Sequence, residues 1–526
     1  MFNSRSGVVE SIRQNERNTG SLRNKPPMYV LGIDVGTGGT RALIIDQQGR
    51  TRASAVAEHP PFSVPQPGWA EQDPEDWWRA CREAIRNALR SSNTRPEEIS
   101  AIGLSGQMHG AVFLDSENRS LRPAILWCDV RTDAQCRYLE ERIGRDCIVQ
   151  LTCNAALPNF TLTKLLWVRE DSPQLWSKVR HILLPKDYVR LRLTGEFATD
   201  ATDASGTLML DVANRAWSAP MLEAAQIDPA ILPKVFESTE VTGTISAQAA
   251  EETGLRKGTP VVAGAGDQAA GATGVCVVRP GSVSATIGTS GVVFASTDQP
   301  LLDPKGRLHT FCHVMKNRWH VMGVTQAAGL SLRWFRDTFG ANAAAGQDPY
   351  DVLTAEAAPI PPGAEGLLWA PYLMGERTPH LDPNATGALV GVRVTHKRGH
   401  IIRAILEGVA FSLRDTLTIF RELAIPYDAI RLGGAGASSP LWRQIQADVY
   451  GKNVLIPAAK EGAGYGAAIL AGVAAGWWPS VDQACDALDS LSASTAPNPA
   501  ASRVMEKQYE LYRRVYPALR NIFESR

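Results

Sequence analysis

Short apolar runs separated by glycine mark the chain from Met28 onward. The run YVLGID is followed by GTGGT, by a second apolar run, RALIID, and by the polar stretch 47–50. Apolar segments that alternate with glycine-rich and polar turns are typical of strands joined by tight turns. The pattern therefore predicts a β-hairpin over residues 30–46.

Helical signals follow the hairpin. Asp73 suits an N-cap, Pro74 suits the first helical position, and two acids stand in the first turn after it. Farther on, AIGLSG and GAVFLD read as two strands on either side of residues 107–109. Strands that alternate with amphipathic helices predict an α/β fold.

The hairpin has an echo later in the chain. Segment 30–46 and segment 281–296 both read as strand, Gly-Thr-x-Gly, strand. A repeated unit of this kind predicts two similar domains that face each other, although two short glycine hairpins can also resemble each other by chance. The break at 279–281 places the boundary between the domains there.

Three segments are predicted on this basis. Residues 1–27 are polar, end in Pro26-Pro27 and lack the apolar area needed to offset ordering entropy, so we expect a disordered N-terminal extension. Residues 28–278 form the first domain. Residues 279–526 form the second domain, which ends in a charged amphipathic helix from Arg503.

Composition narrows the function classes. The 526 residues include 54 Lys+Arg and 54 Asp+Glu, so the formal net charge is zero and gives no reason to expect nucleic acid or an anionic membrane as a partner. The eight cysteines form no CxxC or zinc-spaced cluster. No run of 18 apolar residues and no signal-peptide core occurs, so the cytoplasm is the expected location.

The glycine clusters are candidate phosphate sites. Glycines let backbone N–H groups converge on an anion, and threonine adds a hydroxyl. Two facing Gly-Thr loops would clamp a polyphosphate, but no GxxxxGK[ST] motif occurs, and each loop alone is equally consistent with a simple turn. A third cluster, 433–444, lies between an apolar run and a helical pattern and suits a nucleotide or a tight turn. The small residues of 461–472 favour close helix packing.

Two acids stand beside these glycines. Asp34 ends the first strand next to the first loop, where a carboxylate repels phosphate unless a cation intervenes, so it is a candidate Mg²⁺ ligand or an Asx-turn residue. Asp267, in VVAGAGDQAAGATG, lies between an apolar strand and a small-residue helix. It is a candidate general base toward a substrate hydroxyl, and an N-cap role is the alternative.

The polar block between the two predicted strands, 101–106 and 110–115, is a candidate ligand site. Gln107, Met108 and His109 stand where side chains enter a cleft. Histidine binds sugar hydroxyls as donor and acceptor, although a single histidine is more often a structural hydrogen-bonding residue.

Together these blocks resemble a known family. The landmarks are GIDVGTGGT, WAEQDPEDWW, GLSGQMHG, ILWCDVR, KLLWV, LLPKDYVRLRLTGEFATDATDASGT, GAGDQAAGA, TIGTSG, YLMGERTPH and EGVAFSL. In order and spacing they are similar to those of the FGGY carbohydrate kinases, from Met28 to about residue 500. The resemblance implies two actin-like (ribonuclease H-like) ATPase domains facing a central cleft, with sugar on the N-terminal domain and ATP-Mg²⁺ mainly on the C-terminal domain.

The resemblance also implies an activity. The Gln-Met-His-Gly block and the LLPKDY stretch look like those of family members that phosphorylate D-xylulose with ATP, and the family suggests a homodimer. Another ketose or a polyol, such as ribulose or a sugar alcohol, remains open as the substrate, because Gln268 stands where an asparagine is usual. An actin- or chaperone-like ATPase is the rival class, and it lacks the acid and the Met-His pair.

Residue roles follow from the same resemblance. Asp267 matches the general base, and Asp34 matches the metal-binding acid. The implied sugar contacts are Gln107, Met108, His109, Asp267 and Gln268. The implied nucleotide contacts are Gly36, Thr37, Gly38, Gly288, Thr289, Ser290, Gly436 and Ala437.

Overall fold

The computed structural model describes residues 28–341, 343–344, 346–459 and 462–525. The prediction of a disordered extension concerns residues 1–27, which lie outside the described residues. Within the described part, two seven-stranded mixed sheets with helices packed on them confirm the predicted two-domain α/β class.

The first sheet is built around the predicted hairpin. Its strands are β1 (Tyr29–Val35), β2 (Gly39–Asp46), β3 (Thr51–Glu58), β4 (Ile99–Gly106), β5 (Val241–Thr244), β6 (Pro260–Val262) and β7 (Ala265–Gly266). Their order is β5-β6-β4-β1-β2-β3, and β7 also pairs with β4. β1 runs antiparallel to β2 and parallel to β4, so Asp34 of β1 lies between Arg41 of β2 and Ser105 of β4.

The second sheet repeats this arrangement. Its strands are β8 (Val283–Ile287), β9 (Gly291–Thr297), β10 (His309–Cys312), β11 (Trp319–Thr325), β12 (Ala429–Gly434), β13 (Asn453–Pro457) and β14 (Leu491–Thr495). Their order is β10-β11-β9-β8-β12-β13-β14. β8 is antiparallel to β9 and parallel to β12, as β1 is to β2 and β4. The echo in the sequence is therefore a structural repeat.

Helices cover both sheets. In the first half they are α1 (Pro74–Ser92), α2 (Asp133–Ile143), α3 (Arg145–Thr152), α4 (Thr161–Asp171), α5 (Pro173–Trp176), α6 (Pro185–Thr194), α7 (Ala201–Ser205), α8 (Ala219–Ala225), α9 (Ala247–Thr253) and α10 (Asp267–Gly274). In the second half they are α11 (Gly329–Phe339), α12 (Pro349–Ala357), α13 (Arg398–Glu422), α14 (Pro440–Tyr450), α15 (Gly462–Ala474), α16 (Val481–Leu488), α17 (Pro499–Tyr512) and α18 (Val515–Glu524).

Shorter strands form small two-stranded sheets at the periphery. They are Glu71–Gln72 with Ala124–Ile125, Val112–Leu114 with His181–Leu183, Ala198–Asp200 with Lys234–Phe236, Leu210–Asp211 with Ala216–Trp217, and Leu368–Ala370 with Ala388–Val390. None of the described helices is both long enough and apolar enough to cross a membrane.

The ends of two predicted helices can be compared with the structure. Asp73 caps α1 as predicted, because its side chain accepts a hydrogen bond from the backbone N–H of Glu75 at 3.0 Å. The prediction of a single C-terminal helix from Arg503 is wrong. Helix α17 begins at Pro499 and ends at Tyr512, and a separate helix, α18, begins at Val515. Tyr509 of α17 donates a 2.6 Å hydrogen bond to Asp415 of α13, so this end of the chain packs on the second half.

Helix α15 lies in the chain between β13 and β14 of the second sheet but packs on the first sheet. A Cβ atom on Gly32 of β1 would lie 2.1 Å from the carbonyl oxygen of Gly464, and one on Gly103 of β4 would lie 1.9 Å from that of Ala467. Only glycine allows backbones this close, so the small residues of this helix serve close packing, as predicted. The same face holds α10, because a Cβ atom on Gly466 would lie 1.8 Å from the carbonyl oxygen of Ala270.

Candidate active site

A cavity of about 750 Å³ lies between the two halves of the chain. Asp34, Asp267 and Gln268 line it from the first half. Thr286 and the glycine loop after β12 line it from the second half. The topology explains this meeting, because both central parallel strands end at the cleft and their turns face each other.

Asp267 stands where β7 turns into α10. The N-cap residue of α10 is Gly266 and Asp267 is the first helical residue, so the alternative N-cap role of Asp267 is wrong. The side-chain amide of Gln268 donates a hydrogen bond to Oδ1 of Asp267 at 3.2 Å. The carboxylate therefore faces the cavity with a weak amide contact as its side-chain partner.

The electrostatics of this carboxylate suit a base. Burial raises the pKa of Asp267 to about 7, and the nearby negative charge of Asp34 adds to the rise, while Gln268 opposes it. A carboxyl group with this pKa exchanges a proton near neutral pH, as a general base requires.

Asp34 lies in the body of β1, opposite Arg41 of β2 and Ser105 of β4, so it is not an Asx-turn residue. Burial raises its pKa, and the Ser105 hydroxyl and the Arg41 charge oppose that rise. Its Oδ1 atom is buried without a hydrogen-bond partner in the described part of the chain. A buried carboxylate oxygen left unpaired at a cavity wall is suited to binding a cation.

The turn that holds Asp267 rests on a buried polar network. The backbone N–H of Gly266 donates to Oγ1 of Thr202 at 2.9 Å, and the Thr202 hydroxyl donates to Asp200 at 2.5 Å. Nζ of Lys186 lies 2.7 Å from Asp200 and 3.3 Å from Asp203, with all three side chains fully buried. This network fixes the backbone immediately before the proposed base.

Met108 and His109 lie behind the same turn. The side chain of Met108 packs on Gly266, where an added Cβ atom would lie 2.9 Å from its Cγ. Nδ1 of His109 lies 2.6 Å from the carbonyl oxygen of Gly206, so Nδ1 carries the proton and Nε2 is left as an acceptor. Burial lowers the pKa of His109 to about 3, so the ring is neutral at physiological pH.

The backbone at His109 is held by two residues of α4. Its φ of 68° is unusual for a residue with a side chain. Its carbonyl oxygen accepts hydrogen bonds from Nζ of Lys164 at 2.8 Å and from Oγ1 of Thr161 at 3.2 Å. Burial lowers the pKa of Lys164 to about 7. These contacts hold an otherwise strained residue in place.

The first glycine loop is braced through Thr37. The Thr37 hydroxyl donates to Oε1 of Gln107 and accepts from Nε1 of Trp127, both at 3.0 Å, and its carbonyl oxygen accepts from Nε2 of Gln72 at 3.1 Å. Gly36 closes a tight turn by donating to the carbonyl oxygen of Gly39 at 3.0 Å. The threonine hydroxyl is thus engaged within the protein, and residues 36–38 do not line the 750 Å³ cavity.

The second loop lies at the start of α11. The N–H groups of Gly329 and Leu330 donate to the carbonyl oxygens of Gly288 and Thr289 at 2.9 and 3.1 Å. Nη2 of Arg333 donates to the Thr289 hydroxyl at 2.7 Å. Residues 288–290 do not line the 750 Å³ cavity.

The third loop forms the predicted strand–glycine loop–helix unit, with a 3₁₀ turn at Ala435–Ala437 between β12 and α14. Ala437 lines the cavity. Gly436 packs on Ile287, where an added Cβ atom would lie 2.7 Å from the Cβ of that residue. Gly434 has φ +70°, and an added Cβ there would lie 2.3 Å from the Ile287 carbonyl oxygen.

Sequence reasoning missed the supporting side chains. Lys164 and Thr202 lie in the KLLWV and TDASGT blocks, but nothing in the sequence links them to residues 55 and 64 positions away. Among the described residues, no cluster of three or more His, Cys, Asp or Glu side chains has the geometry to hold a metal.

Comparisons with known proteins identify the family. The models named "FGGY family of carbohydrate kinases" match with the N-terminal domain at residues 29–274 and the C-terminal domain at 283–475. The chain is 38% identical to a xylulose kinase of Bacillus subtilis, covering 93% of this chain and 96% of that one. It is 32% identical to a gluconokinase of the same species, covering 91% and 97%.

A solved structure agrees with these matches. The crystal structure of a "xyloylose kinase" from Brucella ovis superposes with a TM-score of 0.85 at 36% identity, over 94% of this chain and 100% of that one. The chain therefore belongs to the FGGY family of carbohydrate kinases, and it is an ATP-dependent sugar kinase.

Proposed function

We propose that the sugar is D-xylulose and that the products are D-xylulose 5-phosphate and ADP. The relatives from B. subtilis and B. ovis that carry the xylulose kinase name cover nearly the whole chain. The observation that carries the mechanism is Asp267, a partly buried carboxylate with a raised pKa that lines the cavity without a capping role.

Asp267 acts as the general base. Its carboxylate accepts the proton of the C5 hydroxyl while that oxygen forms a bond to the γ-phosphorus of ATP. The bond between the γ-phosphorus and the β–γ bridging oxygen breaks, and ADP leaves with the bonding electrons. In such transfers the protein mainly positions the reactants and neutralises charge.

Asp34 is the residue that would hold Mg²⁺. Its unpaired buried Oδ1 and the charge repulsion between Asp34 and Asp267 both fit a divalent cation, which proteins bind through one or two carboxylates plus substrate phosphates. When bound, Mg²⁺ neutralises charge on the phosphate oxygens. Asp34 lies near the base, and its charge contributes to the raised pKa of Asp267.

The glycine loops bind the nucleotide. The loops at residues 36–38 and 288–290 bind the phosphates through the N–H groups of Thr37, Gly38, Thr289 and Ser290, because those of Gly36 and Gly288 donate within the loops. The turn with Gly436 and Ala437 borders the adenosine. Residues 28–278 bind the sugar through Gln107, Met108, His109 and Gln268, and residues 279–526 bind ATP. Neutral His109 offers Nε2 as an acceptor for a sugar hydroxyl.

A second candidate is a different sugar substrate. The chain is similar to a gluconokinase, and Gln268 contacts the proposed base with a longer amide than the asparagine implied by the family resemblance. A longer amide displaces the hydroxyl to which it binds, so gluconate, D-ribulose and xylitol are the substrates to compare.

The test is ADP release across a sugar panel. Purified protein with Mg²⁺-ATP is assayed with D-xylulose, D-ribulose, xylitol and gluconate, and phosphorus NMR locates the phosphate on the product. We expect the highest kcat/KM with D-xylulose and phosphate on C5. Higher kcat/KM with another sugar would overturn the substrate assignment, and an Asp267→Asn variant with unchanged turnover would overturn the base assignment.

A further inference from the structure

In the segment after Pro371, the residues on both sides of Arg377 are anchored by hydrogen bonds. The Glu376 carboxylate accepts hydrogen bonds from the N–H groups of Gln326 and Arg377 at 3.0 and 2.8 Å, from the hydroxyl of Ser412 at 3.2 Å, and from that of Thr325. A carboxylate with four donors is fixed, so the backbone that carries Arg377 is fixed with it.

The following residue is held equally firmly. Thr378 donates its N–H to the carbonyl oxygen of Val324 at 3.0 Å, and its hydroxyl accepts from the N–H of Val324 at 3.1 Å. Between these two anchors, the half-buried guanidinium of Arg377 has no ion pair or hydrogen bond within the described part of the chain. The charge of the adjacent Glu376 acts on this guanidinium, but its N–H groups have no acceptor among the described residues, and a ligand oxygen would supply one.

The segment that carries Arg377 lies beside the histidines of the proposed sugar site. The Thr378 hydroxyl donates to the carbonyl oxygen of Arg307 at 2.8 Å, two residues before His309. The His309 ring contacts the rings of Phe160 and Phe311, which also contact the ring of His109. Burial lowers the pKa values of His109, His309 and Lys164, and the positive charge of Arg377 lowers all three further. His109 is the proposed sugar contact, and Lys164 holds its backbone. The segment that carries Arg377 therefore borders the His109 side of the proposed sugar site.

The substrate chemistry limits what Arg377 binds there. A guanidinium donates hydrogen bonds and accepts none, so it favours a carbonyl or carboxylate oxygen over a hydroxyl, which must also place its own proton. The ring form of D-xylulose uses O5 to close the ring, so phosphorylation at C5 requires the open chain. The open chain carries a C2 ketone at the end opposite the reacting hydroxyl.

We propose that Arg377 binds the C2 carbonyl oxygen of the open-chain ketose and so selects ketoses over the matching sugar alcohols. This rests on the proposed function, because it takes the sugar to lie between Asp267 and His109. A phosphate contact is the competing role, since Thr325 pairs with Gly291 directly after the second glycine loop. The position of this segment beside His309 and the aromatic cluster around His109 favours the sugar.

The experiment compares D-xylulose with xylitol, which has the same carbon chain with an alcohol at C2. Arg377→Gln removes the charge, Arg377→Lys keeps it without the planar fork, and Arg256→Gln is a control at an exposed arginine. Steady-state kcat/KM is measured for both sugars, KM is measured for ATP, and melting curves verify folding.

We expect Arg377→Gln to reduce the D-xylulose to xylitol ratio of kcat/KM by about 10- to 100-fold, the range for losing a charged hydrogen bond, with KM for ATP unchanged. The D-xylulose to xylitol ratio of Arg377→Lys should lie between the ratios of the unmodified protein and of Arg377→Gln. An unchanged ratio, or a loss seen mainly in KM for ATP, would overturn the proposal and point to phosphate. If another ketose is the best substrate of the unmodified protein, that ketose and its alcohol give the same test. A best substrate without a carbonyl or carboxylate would overturn it.

Discussion

Replacing Asp267 by asparagine should have two opposite effects, on activity and on stability. Asparagine keeps the shape and the hydrogen bond with Gln268 but accepts no proton from the sugar. Loss of a general base lowers turnover by about 10²- to 10⁴-fold. The same change removes a carboxylate that the folded protein must desolvate, so the variant should be more stable at pH 8.

The pKa of Asp267 determines both the pH dependence of activity and the size of the stability gain. With a pKa of about 7 in the folded protein, kcat/KM of the unmodified enzyme should increase about tenfold between pH 6 and pH 8, as the ionised fraction rises. The shift from the ordinary value of 3.8 corresponds to at most about 4 kcal/mol. Below pH 4 both folded and unfolded states are protonated, so the stability gain should grow from pH 4 to pH 7 and then level off.

The assay combines ADP release with melting curves of the ligand-free protein at pH 4, 6 and 8. Asp415→Asn is the matched control, because burial also raises the pKa of Asp415 to about 7 but this residue lies on α13, bonded to Tyr509. It should gain stability and keep activity. Turnover of Asp267→Asn within tenfold of the unmodified enzyme, or an unchanged melting temperature at pH 8, would refute the reasoning.

Three further substitutions test other parts of the site. Gln268→Asn should raise the preference for D-xylulose over D-ribulose by about 5- to 150-fold without changing KM for ATP, and an unchanged preference would mean that residue 268 does not touch the sugar. Thr202→Val leaves the Gly266 N–H buried without an acceptor, so urea denaturation should show a loss of about 1–3 kcal/mol that Thr202→Ser avoids. Gly434→Ala places a Cβ atom 2.3 Å from a backbone oxygen of β8 and should raise KM for ATP; Gly451→Ala, also at positive φ but without a close neighbour, should not.

Local sequence patterns were enough to predict the two glycine hairpins and the position of Asp267. Glycine and threonine between apolar runs gave both hairpins, and the GAGD sequence placed Asp267 at a strand–helix junction, because short-range backbone preferences decide these features. The break between α17 and α18 was missed, because a continuous amphipathic pattern hides a change of direction.

The side chains that hold the backbone of His109 and Gly266 in place could not be predicted from one sequence. Lys164 binds the carbonyl oxygen of His109 and Thr202 binds the N–H of Gly266 only because the fold brings distant segments together. The lack of an acceptor for the Arg377 guanidinium is equally a tertiary property. Glu376 next to it looks like an ideal partner in the sequence, but its carboxylate accepts from the backbone N–H groups of Gln326 and Arg377 and from two hydroxyls.

Helix α15 has a consequence for dividing this protein into parts. Its side chains Ala468 and Ile469 complete an apolar cluster with Val30, Leu43 and Ala101 of the first sheet, although the strands on either side of it in the chain, β13 and β14, belong to the second. A fragment that stops at residue 278 would leave that face of its sheet bare to water and prone to aggregation. Expression of the first half alone therefore requires residues 462–474 to be fused to it. The two halves are interleaved along the chain and are not two independent consecutive domains.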